Sequence, residues 1–167
     1  MPEKETIEQA RRDAAEGKSP STQAGEFVRE EMDHIREGKH GARSTKQAIA
    51  IGLSKARRAG VKLGVPKRGR ASQRTRTQAQ RDLGKGTSSQ RPKPSARRSR
   101  AVSAALKREG HSAASPATLA RQARTSARRR GSTARHQAAA KAVRTKGRQG
   151  LKKAAEKAAV TRARRAA

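Results

Sequence analysis

The first third of the chain carries apolar side chains at helical spacing. The apolar positions are Ala24, Phe27, Val28, Met32 and Ile35. This is the pattern of one face of an α-helix. Ser19 followed by Pro20 provides an N-cap and a first helical residue, so the sequence predicts a helix over 20–36. A more polar pattern predicts a short helix over 3–16 that ends at Gly17.

A second apolar helix is predicted after a turn over 38–41. Ser44 with Gln47 three residues later fits a capping box at its start. Its apolar face contains Ile49, Leu53 and Ala56. Gly60 can take the left-handed position after the helix, with Val61 folding back on the last turn. Two helices joined by a short turn predict an antiparallel αα-hairpin with a small core.

Beyond the hairpin the bulky apolar side chains become rare. Residues 65–95 have little to bury against the conformational entropy lost on ordering, which is about 1–2 kcal/mol per residue, and they are predicted to be a disordered basic linker. Alanine-rich patterns then predict helices over 96–109, 116–130, 134–146 and 151–165. Isolated helices of this length are marginal in water, so we expect them to form fully only on binding.

These patterns predict four segments. They are an acidic-leaning helix over 1–18, the hairpin over 19–64, the linker over 65–95 and an Ala/Arg-rich helical basic arm over 96–167. The predicted fold class is mostly α with extensive disorder and no sheet.

The composition excludes a single packed domain. The 167 residues include 33 alanines but only 17 Leu, Ile, Val and Phe, and the formal net charge is +30. Such a low share of bulky apolar residues together with such a charge is typical of disordered or partner-dependent chains.

The charge is divided unequally along the chain. Residues 1–40 carry a net charge of −3, and residues 41–167 carry +33. Self-repulsion opposes compaction of the basic part, and binding a polyanion relieves it while releasing counterions. Nucleic acid is therefore the predicted partner.

The candidate binding residues are lysines and arginines of the basic part. Single-strand and RNA-recognition platforms stack bases on aromatic rings, but the chain has one Phe and no Tyr or Trp. We therefore expect contacts to phosphates, which carry little sequence information. The candidates are Lys55, Arg57, Arg58, Lys62, Lys67, Arg68, Arg70, Arg74, Arg76, Arg97, Arg98, Arg100, Arg121, Arg124, Arg128, Arg129 and Arg130.

One short motif within the linker has a specific geometry. Pro66-Lys67-Arg68-Gly69-Arg70 resembles the core of an AT-hook. That resemblance implies insertion of a flat Arg-Gly-Arg strip into the narrow minor groove of A·T-rich DNA. Ala71 stands where an AT-hook has its second proline, and plain phosphate contact remains the alternative.

The sequence offers no enzyme, cofactor or metal signature. There is no cysteine, and the acids and histidines are not gathered around an apolar pocket. Glu30, His34 and His40 lie close together in sequence, but a zinc site needs three or four ligands, and a surface ion pair is the favoured interpretation. We expect no catalytic residues, no bound metal, no cofactor and no small-molecule substrate. Apolar stretches are too short for a membrane span, and no membrane partner is expected.

The stretch from Ser19 to Glu31 and the stretch from Gly38 to Gly60 resemble a family of small basic bacterial proteins of uncharacterised function. Some members are labelled DNA-binding or plasmid-stabilisation proteins. The resemblance implies a bacterial source and DNA binding. The Ala/Arg-rich remainder is similar in composition to bacterial linker-histone-like tails.

The sequence thus predicts a nucleoid-associated, histone-like protein of the bacterial cytoplasm. It would bind DNA without sequence preference, favour double-stranded DNA, and compact or bridge duplexes. One alternative is an RNA- or ribosome-associated basic protein. Another is a protein-interaction hairpin that the basic arm merely localises. The thin core of the hairpin also suggests a homodimer.

Overall fold

A computed structural model of the chain describes residues 2–88 and 95–166. Across these residues the backbone forms seven α-helices and one 3₁₀ turn, with no sheet, which confirms the mostly helical fold class. The helices are α1 (Lys4–Ala15), α2 (Pro20–Arg36), α3 (Thr45–Arg58), α4 (Gln73–Thr87), α5 (Ala96–Lys107), α6 (Pro116–Arg129) and α7 (Gly131–Ala166), and the 3₁₀ turn is Ser112–Ala114. Residues 1–122 and 123–167 form two compact units.

Side-chain caps begin α2 and α3 where the sequence predicts them. The Ser19 hydroxyl accepts a hydrogen bond from the Thr22 backbone N–H at 3.4 Å, and Pro20 is the first residue of α2. The Ser44 hydroxyl accepts from the Gln47 N–H at 3.3 Å. These bonds satisfy backbone donors that have no partner within the helix.

Glycines in the left-handed region end α1, α2 and α3. Gly17, Gly38 and Gly60 have φ values of 71°, 75° and 101°. After α3, the Val61 N–H donates to the Ala56 carbonyl at 3.1 Å, and both side chains are buried in one apolar cluster. This is the Schellman arrangement, and it reverses the chain sharply after each helix.

Helix α2 packs between α1 and α3. One apolar cluster contains Ala10, Ala24, Phe27, Ala56 and Val61. A second contains Met32, Ile35, Ala42, Ala48, Ala113 and Ala114. The backbones of α2 and α3 approach closely at Gly52, where a Cβ atom would lie only 2.8 Å from the Val28 Cα. The core therefore depends on small residues as much as on bulky ones.

Helix α4 lies where the sequence suggests a solvated linker. It packs against α3, and Ala79 and Asp82 are buried. Asp82 accepts a hydrogen bond of 2.7 Å from the Ser54 hydroxyl, and Gly86 lies directly against the Arg57 carbonyl. A hydrogen-bonded carboxylate and small residues make this contact, so a search of the sequence for bulky apolar residues does not reveal it. Residues 89–94 of the predicted linker lie outside the described residues.

The segment after α5 is also packed, although the sequence places it in the basic arm. The Thr45 hydroxyl donates to the Ala113 carbonyl at 2.7 Å, and the Arg36 Nε donates to the Ala114 carbonyl at 3.1 Å. Nearby, the Gly41 N–H donates to the Leu106 carbonyl at 2.9 Å. These alanines are buried because side chains of α2 and α3 donate hydrogen bonds to their carbonyl groups and hold the turn in place.

Helix α7 has no buried face. Nearly all its described side chains are exposed, and its largest apolar ones, Val143, Leu151 and Val160, are 51%, 37% and 52% exposed. Gly147, with φ 62° and ψ 179°, interrupts the helical backbone between the two predicted helices 134–146 and 151–165.

Candidate nucleic-acid interface

Lys55, the first of the candidate phosphate-binding residues, is turned inward. Its side chain is 13% exposed, and its ammonium group lies 3.1 Å from Glu30 Oε1 and 2.8 Å from Glu31 Oε2. The sequence predicts Lys55 to bind phosphate, whereas here its ammonium group is paired with two carboxylates of α2. Two buried carboxylates on α2 need a cation, and α3 supplies it at this position.

Arg57 is also directed into the protein. The residue is 7% exposed, and its guanidinium donates to the Leu63 carbonyl at 3.2 Å and the Gly64 carbonyl at 3.3 Å. Burial lowers the pKa of Arg57, and the charge of Asp82 opposes this effect. Arg57, which the sequence predicts to bind phosphate, therefore fastens the chain after α3.

The other two cations at the end of α3 face solvent. The Arg58 side chain is 48% exposed, and its Nε lies 3.9 Å from the Asp82 carboxylate. Lys62 is exposed. Of the four predicted cations at this end, these two have side chains that are accessible to a phosphate.

The Arg-Gly-Arg motif forms a tight turn in the free chain. The Arg70 N–H donates to the Lys67 carbonyl at 3.0 Å, Gly69 has φ 81°, and an isolated bridge joins Arg68 to Ala71. All the side chains from Lys67 to Arg70 that carry charge are exposed. The turn differs from the extended strip that the AT-hook resemblance implies, so minor-groove insertion would require it to open.

Two candidates lie near the start of α4. Arg74 is exposed in its first turn. Arg76 is half-buried, and its guanidinium donates to the Pro66 carbonyl at 3.2 Å and to Gln73 Oε1 at 3.0 Å. Arg76 therefore fixes the start of the turn, while Arg74 is directed to solvent.

The remaining candidates lie on α5, on α6 and just after α6, and all are exposed. Neither helix has a buried residue. These candidates are Arg97, Arg98, Arg100, Arg121, Arg124, Arg128, Arg129 and Arg130. Their side chains are accessible to a phosphate.

Helix α7 adds cations that the candidate set omits. Its sequence holds eleven Lys and Arg residues and one acid, Glu156. The density of basic residues was visible from sequence, but no motif distinguished this stretch. Its exposure on all sides makes it as suitable for phosphate contact as α5 and α6.

Most acids are separated from this basic region. Ten of the thirteen lie in residues 1–40. Asp13 is buried and pairs with Lys18 at 2.8 Å, and of the three acids after residue 40, Asp82 is buried. The exposed surface of the basic segments therefore carries hardly any competing carboxylates.

The histidines that the sequence assigns to a surface ion pair form a different arrangement. His34 lies 4.0 Å from Glu30 but only 2.8 Å from Glu3, while His40 lies 3.4 Å from the buried Glu31. The turn at Gly38 brings His40 back toward α2. Helical spacing in the sequence indicates Glu30 as the carboxylate beside the histidines, whereas in the structure the carboxylate that faces His40 belongs to Glu31.

Comparison with known proteins finds similarity over part of the chain. Residues 17–69 match a family of unknown function, DUF6496. This range covers α2, α3 and the turn that follows, which is less than half of the chain. No curated protein and no solved structure matches it.

Among the described residues, the structure contains no helix that is both long and apolar enough to cross a membrane. The longest helix, α7, is rich in lysine and arginine.

Proposed function

We propose that the protein binds double-stranded DNA without sequence preference and acts as a nucleoid-associated, histone-like protein. The observation that carries this proposal is the set of exposed arginines and lysines on α5, α6 and α7. Neutralising phosphates with such residues releases counterions and supplies most of the free energy of nonspecific binding.

Helix α7 supports the proposal through its lack of packing. Most helical stability in proteins comes from tertiary contacts of an apolar face. The described part of α7 has no such face, and its like charges repel one another. Phosphates that screen these charges would stabilise the helix, so we expect its helical content to rise when DNA binds.

The absence of available aromatic rings favours backbone contacts over base reading. Phe27, the single aromatic residue of the Phe, Tyr and Trp type in the sequence, is fully buried. Base stacking therefore has no Phe, Tyr or Trp ring to use. Contacts of Lys and Arg with phosphates would allow the basic segments to wrap or bridge duplexes at many sites.

A pair of charge-matched variants tests the location of binding. R128Q/R129Q/R130Q removes three exposed cations at the end of α6, and K4Q/R11Q/R29Q removes three exposed cations from the acid-rich α1 and α2. Both variants have the same net charge. Fluorescence anisotropy with a short duplex at several salt concentrations should show weaker binding for the first variant only. Each lost phosphate contact should reduce the slope of log affinity against log salt by about 0.9.

Two results would contradict this proposal. Equal weakening by both variants would indicate a response to overall charge rather than to the basic segments. Tighter binding of a structured RNA of equal length, at every salt concentration, would favour an RNA-associated role for the same residues.

A further inference from the structure

Glu31, His34 and His40 form a compact cluster at the end of α2. Each offers one donor atom, and these atoms all lie within 4.8 Å of one another. Glu31 and His34 are three residues apart on α2, and the left-handed Gly38 returns the chain so that His40 joins them. Ligand atoms around tetrahedral zinc are about 3.4 Å apart, given bond lengths of about 2.1 Å, so modest side-chain rotations would close the site.

Glu31 is the unusual member of the cluster. Its side chain is fully buried, and neither carboxylate oxygen has a hydrogen-bond partner among the described residues. Lys55 forms an ion pair with Oε2 at 2.8 Å, while Oε1 is directed toward His40. A buried carboxylate oxygen without a hydrogen bond is costly, so a cation or a proton is required on that side.

The hydrogen bond of His40 indicates which ring nitrogen carries a lone pair. Nδ1 lies 3.1 Å from the Gly41 carbonyl, which can only accept, so Nδ1 donates. In the neutral ring Nε2 then carries a lone pair, and it lies 3.4 Å from Glu31 Oε1. Two acceptors face each other there, which is how two ligands of one metal ion are arranged.

His34 has a comparable outer partner. Its Nε2 lies 2.8 Å from Glu3 Oε1. A carboxylate oxygen accepts hydrogen bonds, so Nε2–H donates to Glu3 and, in the neutral ring, the other ring nitrogen carries the lone pair. Metal-bound histidines usually donate their second N–H to a carboxylate or a backbone carbonyl, as His34 and His40 do here.

We propose that Glu31, His34 and His40 bind a divalent transition-metal ion, with Zn²⁺ the best match. Two imidazoles and a carboxylate suit zinc, whereas Mg²⁺ and Ca²⁺ prefer sites made entirely of oxygen. Water can supply a fourth ligand. The ion would replace the missing hydrogen bond of the buried Glu31.

The site would have a structural consequence. It would fasten the end of α2 to the turn over 38–41. The chain at this turn also binds the segment at the end of α5. The Gly41 N–H donates to the Leu106 carbonyl, and the Ala42 N–H donates to the Gly110 carbonyl at 3.1 Å. Zinc would therefore rigidify the junction between the packed helices and the segment that follows α5.

Zinc titration of the untagged full-length chain tests the site. After treatment with a chelator, the protein should bind one Zn²⁺ per chain in competition with a chromogenic chelator. H34Q and H40Q should each weaken binding at least tenfold, because each removes a ligand. H136Q is the matched control, since His136 is exposed on α7, and it should bind zinc as the unaltered chain does.

The competing explanation is that a protonated His40 forms a simple ion pair with Glu31. In that case zinc would not bind with a stoichiometry of one, or H34Q and H40Q would bind it as H136Q does, and either result would overturn the proposal. Nitrogen-15 spectra of the histidine rings in the unaltered chain provide a readout that does not require a variant to fold. Zinc should shift the His34 and His40 signals but not the His136 signal, and an unchanged spectrum would refute the site. Both measurements are made without DNA, so they do not depend on the proposed function.

Discussion

Ser54 in α3 donates a hydrogen bond of 2.7 Å to the buried carboxylate of Asp82 in α4. Gln78 donates a second bond to the same carboxylate at 3.0 Å. The bond to Ser54 fixes one orientation of α4, because a rotation of the helix would break it and leave a buried carboxylate with one partner fewer. The contact makes residues 73–87 part of the packed unit.

Replacing Asp82 should therefore release α4. D82A removes the carboxylate that Ser54 and Gln78 bind, and we expect a loss of about 1–3 kcal/mol together with faster amide hydrogen exchange across 73–87. D33A is the control, because Asp33 forms an exposed ion pair with Arg36 and should cost at most about 1 kcal/mol. Unchanged exchange in D82A would indicate that 73–87 is solvated as the sequence suggested.

Two glycine substitutions should change stability in opposite directions. In G52A the new Cβ would lie 2.8 Å from the Val28 Cα and 3.0 Å from the Phe27 carbonyl oxygen, so α2 and α3 must separate. We expect a loss of about 1–3 kcal/mol. In G25A the new Cβ meets nothing within 4 Å, and alanine favours the helix by about 0.5–1 kcal/mol. Urea unfolding of both variants measures the difference, and equal effects would contradict the close helix contact.

Lys55 should matter for folding rather than for DNA binding. K55M leaves Glu30 and Glu31 buried beside each other without their cation, and we expect a loss of about 3–5 kcal/mol in the free energy of unfolding. K46M is the control, because Lys46 is exposed on the same helix and should change stability by at most about 0.5 kcal/mol. If K55M unfolded like the unaltered chain but bound DNA more weakly, the inward position of Lys55 would be wrong.

The pair of Asp13 and Lys18 should make the fold sensitive to acid. The hydrogen bond from Lys18 lowers the pKa of Asp13 below its ordinary value of 3.8. A carboxylate whose pKa is lower in the folded state stabilises the fold above pH 3.8, and this contribution is lost as the pH falls from there through the lowered pKa.

The K18M variant checks this dependence. Without the ammonium group, the pKa of Asp13 should rise, and carbon-13 titration of its carboxyl group measures the change. Acid unfolding should then begin at higher pH than in the unaltered chain. An unchanged Asp13 titration would show that Lys18 does not stabilise the carboxylate in solution.

Local signals predicted the ends of helices well. Ser19, Ser44 and Gly60 act through hydrogen bonds to backbone groups a few residues away, so their roles can be read from the sequence. The excess of cations after residue 40 is likewise a property of composition. Neither inference depends on knowing which helices pack against each other.

The tertiary structure decided which charged groups are buried and which are exposed. Lys55 and Lys62 are equivalent as sequence, yet one neutralises two buried carboxylates and the other faces solvent. Asp82 binds Ser54 because α3 and α4 pack together. His40 faces Glu31 because the chain reverses after α2. The free energy of a charge depends on its burial and its partners, and those are set by contacts between elements rather than by neighbours along the chain.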